Sequence, residues 1–204
     1  MPGREDWWNA AATESDDDLR ERILTGFKSG KPFTPYAPTI GWPPVESVLD
    51  FGCGVGRSFP YLRSVARRIS GFDLPPMIAR CRTLAADDVA LRDDWPALRR
   101  ERFDLVHASL VLQHLETDAI RAFLSHFAGM APAIYLLTRI DSDFGANLFE
   151  LLADEPRLRP GPCHEVTHDY DTHQLRVLGR PPFDEARTAG PGRHFEMLLT
   201  SAAG

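Results

Sequence analysis

Three glycines at alternate positions, Gly52, Gly54 and Gly56, follow directly on a short apolar run, Ser47-Val-Leu-Asp-Phe51. Glycine tolerates left-handed backbone and leaves room for a ligand to lie against the main chain. Beyond the glycines, Phe59, Leu62, Val65 and Ala66 share one side of a segment over 58–68, which predicts a helix. Strand, glycine turn and helix in that order constrain the chain to an open α/β sheet. In such a sheet this loop borders the crevice where ligands bind.

The alternation continues downstream. Further strands are predicted at Arg68–Asp73, Asp88–Arg92, Phe103–Ser109 and Ala133–Thr138, with helices over Pro75–Ala86 and Thr117–Ala128. Pro75 suits the first turn of its helix. Short helices over Asn147–Ala153 and Asp171–Gly179 precede two closing strands, Phe183–Thr188 and His194–Thr200. Apolar strands alternating with helices imply a doubly wound sheet covered on both faces. The stretch 141–168, with Pro156, Pro160 and Pro162, reads as an irregular insert in a domain over 46–204. Residues 1–45 read as an arm. Two short helices, Asp6–Ala12 and Asp17–Phe27, lead into Lys31-Pro-Phe-Thr-Pro-Tyr-Ala-Pro38 and Trp42-Pro-Pro44, where proline blocks helix. Phe33, Tyr36 and Trp42 make this arm either a packed cover or a lid with aromatic walls, and the two are compatible.

A length of 204 residues fits one full domain with an appendage. With 43% hydrophobic and 25% charged residues, the composition excludes a disordered, collagenous or coiled-coil chain. No apolar run approaches the ~20 residues of a membrane span. The first 18 residues are polar and acidic and lack the apolar core of a signal peptide, so a cytoplasmic protein is expected. A net charge of −6 argues against nucleic acid as a partner, since phosphate contacts need a basic footprint. Cys53, Cys81 and Cys163, with no CxxC, fit a reducing compartment.

Acidic residues at the strand ends narrow the ligand. The glycine spacing is GxGxG rather than the GxGxxG of dinucleotide folds, and Asp50 stands two residues ahead of it. A carboxylate there would repel a pyrophosphate and suits an ammonium or sulfonium. Asp73 ends the second strand, 17 residues beyond Gly56, where a carboxylate can accept both hydroxyls of a ribose. Asp93 and Asp94 follow the third strand; one can accept from an adenine amine, with Trp95 beside the ring. A single Asp at a strand end reads as a helix N-cap. Three in succession are hard to assign to caps alone.

With these residues in place, the sequence resembles the class I S-adenosylmethionine-dependent methyltransferases of the small-molecule type, over roughly residues 46–200. Val48-Leu-Asp-Phe-Gly-Cys-Gly-Val-Gly-Arg57 is similar to the family's first motif. Gly71-Phe-Asp-Leu-Pro-Pro-Met77 is similar to the motif whose Asp holds the ribose, and Asp94-Trp-Pro-Ala-Leu98 to the one whose Asp meets the adenine amine. Phe103-Asp-Leu-Val-His-Ala-Ser-Leu-Val-Leu-Gln-His-Leu115 resembles the fourth strand and its turn, and His168-Asp-Tyr-Asp-Thr-His-Gln-Leu175 a late helix start. The resemblance implies a Rossmann-like sheet of seven strands with the last antiparallel. It implies S-adenosylmethionine as cofactor, bound by Asp50, Gly52, Cys53, Gly54, Gly56, Asp73, Leu74, Met77, Asp94, Trp95, Ser109 and His114. No Asn-Pro-Pro-Tyr or Asp-Pro-Pro-Tyr follows the fourth strand; Ser109 to His114 take its place. That points to an oxygen or nitrogen of a small molecule as acceptor, as in secondary metabolism. A protein- or RNA-directed methyltransferase and a non-catalytic donor-binding subunit are the alternatives.

His114, on the ligand side of the sheet, is the candidate general base, its other role in the family being structural or in donor packing. Gln113 can orient donor or acceptor. Arg139, just past the fifth strand, can meet an acidic acceptor or make a surface ion pair. Tyr36 is a candidate wall of the acceptor pocket. His107, inside its strand, reads as a buried, hydrogen-bonded group. Cys163, His164, His168 and His173 are metal-ligand types, but their spacing matches no standard zinc pattern, and no metal is expected.

Overall fold

The structure, a computed structural model, describes residue 13 and residues 38–84, 88–139, 147–169, 174–179 and 193–202. Its elements are β1 (Val45–Phe51), α1 (Phe59–Val65), β2 (Ala66–Phe72), α2 (Pro75–Leu84), β3 (Val89–Arg92), α3 (Trp95–Leu98), β4 (Leu105–Ser109) and a 3-10 turn (Leu112–His114). They continue with α4 (Thr117–Met130), β5 (Ala133–Thr138), α5 (Leu148–Ala153), β6 (Leu158–Asp169), β7 (Gln174–Gly179) and β8 (Arg193–Ser201). The strands form one sheet in the order β3-β2-β1-β4-β5-β8-β6-β7. The first five run parallel. β8 joins β5 antiparallel, β6 joins β8 antiparallel, and β7 joins β6 antiparallel.

Side chains of successive strand residues point to opposite faces, so each strand feeds two cores. On one face Leu49, Phe51, Val106, Ile134 and Leu136 meet Leu124 and Phe127 of α4 and Leu151 of α5. On the other face Val48, Ile69, Leu105 and Leu137 meet Phe59 and Leu62 of α1 and Ile78 of α2. Each fully buried Leu or Phe contributes roughly 1.5–3 kcal/mol of transfer free energy. α4 stops because Ala131 precedes Pro132; proline disfavours helical backbone in the residue before it, and Ala131 is extended at φ −148°, ψ 147°.

The doubly wound reading and the antiparallel closing strand are found, in a sheet with eight strands among the described residues rather than seven. Three local expectations change. The helix over 58–68 ends at Val65, because Ala66 turns extended and pairs with Val45 of β1. The supposed irregular insert contains the 12-residue strand β6. Its prolines are tolerated at a register shift between Pro160 and Cys163. A Cβ at Gly161 would lie 2.8 Å from the Leu198 carbonyl oxygen, so glycine permits the close approach there. Residues 174–179 of the supposed helix Asp171–Gly179 form β7, which pairs with β6; of the supposed helix start, His168 and Asp169 end β6, Gln174 and Leu175 begin β7, and residues 170–173 lie outside the described residues. The arm helices, Phe33, Tyr36 and the strand Phe183–Thr188 lie outside the described residues. Among the described residues no helix is long and apolar enough to cross a membrane.

Candidate functional site

The strand order reverses between β1 and β4, and the loops after β1 to β5 all leave from the carboxyl ends of parallel strands. Crevices at such a reversal are where open α/β sheets hold ligands. The glycine loop is its floor. Gly52, Gly54 and Gly56 have φ of 72°, 56° and 83°, the left-handed region. A Cβ at Gly52 would stand 2.5 Å from Val111 Cγ2, and one at Gly56 2.5 Å from the Phe59 ring. At Gly54 a Cβ would meet nothing within 4 Å among the described residues. The N–H groups of Gly52 and Cys53 donate to the Phe72 carbonyl at 2.8 and 3.0 Å, which clamps the loop to β2.

Asp73 follows β2 and faces this loop. Its Oδ2 accepts from the Gly54 N–H at 2.7 Å and its Oδ1 from the Leu74 N–H at 2.7 Å. Each oxygen keeps a lone pair for a further donor. Burial pushes the carboxyl up to about 6, against the pull of the two backbone donors, and the charge of Asp50 adds to the rise. Leu74 is half-buried and Met77 buried beside it. Cys53 is buried, and a hydrogen bond with Cys81, burial and the charges of Asp50 and Asp73 push its thiol well above the usual range. It is an unreactive small residue of the loop.

Asp50, in β1, is buried. Its Oδ1 lies 2.7 Å from His107 Nδ1 on β4. Its Oδ2 has no hydrogen-bond partner among the described residues. An orphaned carboxylate oxygen in the interior is costly unless a ligand donates to it.

After β4, Leu110 holds φ +59°, an uncommon value for a leucine, while its N–H donates to Leu137 O at 2.6 Å. Val111 then rests against Gly52, joining the two loops of the crevice. Gln113 is buried and accepts through Oε1 from the Arg139 N–H at 3.1 Å, which bridges the loops after β4 and β5. That bond fixes the amide orientation and turns Nε2 toward His114 Nε2, 3.3 Å away. An amide NH2 only donates, so His114 Nε2 accepts and its proton rests on Nδ1. Ser109 and His114 are half-buried at this end of the sheet, and so is Arg139.

Asp94 caps α3, its Oδ1 accepting from the Ala97 N–H at 3.1 Å, and the rest of its carboxylate is exposed. Trp95 is half-buried in an aromatic cluster, 5.4 Å from Phe51, 5.3 Å from Phe72 and 4.9 Å from Phe123. Its ring is therefore partly a core group. Tyr36 lies outside the described residues. Cys163 and His164 are neighbours on β6 and face opposite ways, Cys163 paired with Met197 and His164 with Glu196, so they share no ligand. Among the described residues no group of three or more His, Cys, Asp or Glu is placed to hold a metal ion.

The sequence left several contributors unseen. Glu196 of β8 is fully buried and accepts from the N–H groups of Thr39 and Ile40 at 2.6 and 3.2 Å and from the Tyr135 hydroxyl at 3.0 Å. The Thr39 hydroxyl also donates to it. Trp42, already singled out in the sequence as an aromatic of the arm, packs 5.0 Å from Tyr135 and 5.8 Å from Tyr61. Residues 38–42 are thus strapped across the face that carries Asp50 and His107. A glutamate amid Phe195, Met197 and Leu199 was the one signal available.

Residues 11–177 match the family model described as "Methyltransferase domain". No curated protein sequence matches the chain significantly. Solved structures of similar fold include magnesium protoporphyrin IX methyltransferase from Synechocystis PCC 6803 with bound SAM, at 17% identity, 78% of this chain, 71% of that chain and a TM-score of 0.53. The N-methyltransferase NodS from Bradyrhizobium japonicum WM9, in complex with S-adenosyl-L-homocysteine, matches at 16% identity, 78% and 79% coverage and a TM-score of 0.54. A TehB-like SAM-dependent methyltransferase from Corynebacterium glutamicum ATCC 13032 matches at 18% identity, 97% and 95% coverage and a TM-score of 0.54. The family match spans most of the chain and the sheet agrees with it, so the chain belongs to the methyltransferase-domain family and is a methyltransferase of the class I, Rossmann-like type.

Proposed function

We propose that this methyltransferase takes its methyl group from S-adenosylmethionine and delivers it to an oxygen or nitrogen of a small molecule in secondary metabolism, in the cytoplasm. The observation that carries the donor is the buried Asp50 carboxylate, with Oδ2 orphaned among the described residues, two residues ahead of the glycine loop. It asks for a cationic group, and Asp73 beside the same loop keeps two lone pairs for a diol. The residues present fit the donor. When bound, it supplies a methyl carbon on a positively charged sulfur, open to attack in line.

Asp50 holds the ammonium end. Gly52, Cys53, Gly54 and Gly56 carry the backbone against which the amino-acid part lies. Asp73 takes the ribose hydroxyls, and Leu74 and Met77 shape the wall beside them. Asp94 offers its exposed oxygen to the adenine amine, with the accessible edge of Trp95 beside the ring and Ser109 on the β4 side. Alignment of this kind supplies up to ~7–11 kcal/mol of the barrier. His114 Nε2 takes the acceptor's proton, exchanging the Gln113 amide for it. Gln113 and Arg139 place the acceptor, Arg139 meeting an acidic group. The arm over residues 1–45, with Tyr36, closes over the acceptor as a lid on the domain over 46–204. A small acceptor is supported by the acidic net charge and by the absence of a Pro-Pro-Tyr motif after β4.

The test is titration of the purified chain with S-adenosylhomocysteine, followed by transfer of labelled methyl groups to a panel of phenols, carboxylates and amines. Binding and labelling of one class are expected. A protein that ignores the adenosyl compounds yet binds NAD or ATP would overturn the reading.

A further inference from the structure

We propose that His107 is a positioning residue for the donor: it holds the Asp50 carboxylate so that one oxygen stays free for the donor's ammonium. This rests on the donor reading above. Asp50 and His107 are register partners on adjacent strands, β1 and β4, so their side chains share a face. His107 Nδ1 to Asp50 Oδ1 is 2.7 Å, and both side chains are buried. That contact takes one lone pair of Oδ1 and leaves Oδ2 without a partner among the described residues. The histidine therefore sets how the carboxylate is turned, with Oδ2 as the wholly unpartnered oxygen.

The imidazole is itself held. It stacks on Tyr135, its register partner on β5, with centroids 5.0 Å apart and planes within 4°. The Tyr135 hydroxyl donates to Glu196, which anchors Thr39 and Ile40. Trp42 closes a further side, 6.4 Å from the imidazole. The ring has little freedom to turn away from Asp50. The carboxylate is thus held by a side chain that is itself fixed on three sides, by Asp50, Tyr135 and Trp42.

The experiment compares two ligands on the full chain by calorimetry: S-adenosylhomocysteine, and 5′-methylthioadenosine, which lacks the amino-acid end. His107→Leu removes the donor. His107→Phe removes it while keeping a ring on Tyr135, and serves if the leucine variant does not fold. His107→Asn places an amide nitrogen near the position of Nδ1. Loss of the donor is expected to weaken S-adenosylhomocysteine about tenfold, with 5′-methylthioadenosine held within about twofold, and His107→Asn to restore most of the loss. Equal weakening of both ligands, no weakening of either, or an asparagine variant no better than leucine overturns the proposal. Wild-type protein that binds neither ligand overturns the donor reading instead, so the two failures are distinct.

Discussion

The carboxylate of Asp73 is bound to the N–H of Gly54 at 2.7 Å, so the end of β2 and the glycine loop after β1 are one rigid piece. The crevice is shaped before any ligand arrives, and an ionisable group is part of its frame. Burial holds that carboxyl above its ordinary range, which has consequences of opposite sign for binding and for folding.

Burial raises the Asp73 carboxyl from its usual 3.8 to about 6. Ribose hydroxyls are best accepted by the ionised form, so affinity for S-adenosylhomocysteine is expected to be full above pH 6 and to fall as pH drops through it. The contribution to stability runs the other way. A raised carboxyl favours the fold below its unfolded value, and that contribution is lost as pH rises through about 6. Asp73→Asn should flatten both dependences and weaken affinity about 10–100-fold. Calorimetry from pH 5 to 8 on both proteins decides it; a wild-type affinity flat across that range would contradict the assignment.

Gly52 and Gly54 predict different failures. Gly52→Ala adds a left-handed penalty to a collision with Val111, and is expected to cost roughly 2–4 kcal/mol of stability. Gly54→Ala meets nothing within 4 Å among the described residues and should cost only about 1 kcal/mol, while its new methyl group blocks the ligand side of the loop. Denaturant melts paired with ligand titration should show the first variant losing mostly stability and the second mostly affinity. Equal stability losses would show that the loop adapts around Val111.

Glu196 anchors the strap before β1. Glu196→Ala strands the N–H groups of Thr39 and Ile40 and the Tyr135 hydroxyl, for an expected loss of about 2–4 kcal/mol. Glu196→Gln keeps Oε1 for these three, loses only the Oε2 that accepts from the Thr39 hydroxyl, and should cost about 1 kcal/mol. Limited proteolysis around Thr39 provides a local readout: faster cleavage in the alanine variant, little change in glutamine. If the two variants melt alike, the charge rather than the hydrogen bonds holds the strap.

His114→Ala is expected to lower kcat by ~10²–10⁴ with donor affinity within about twofold. Gln113→Leu should also lower kcat, and shift the pH–rate profile because His114 Nε2 loses its donor. A wild-type profile without an ionisation near neutrality removes the general-base role from His114.

Much of this protein is written locally. β1 to β5, α4, the glycine turn and Asp73 show as periodic apolar runs punctuated by glycine and proline, because side-chain direction in strands and helices follows from backbone geometry alone. Asp50 was likewise visible from its offset to Gly52. The partner of Asp50 was not: His107 is 57 positions away, and period-two alternation says which face a residue takes without saying which strand lies beside it. Strand β6 hid behind Pro160 and Pro162, whose cost is relieved by a bulge that exists only once β8 is alongside. Glu196 and Thr39 stand 157 positions apart and meet only when β8 is inserted between β5 and β6. The sequence by itself determined the elements and the acidic strand ends, because those depend on neighbours along the chain. The tertiary structure decided which of those groups are paired, strapped or left with a free oxygen, because strand pairing is a long-range choice that buries each group against residues the chain order does not disclose.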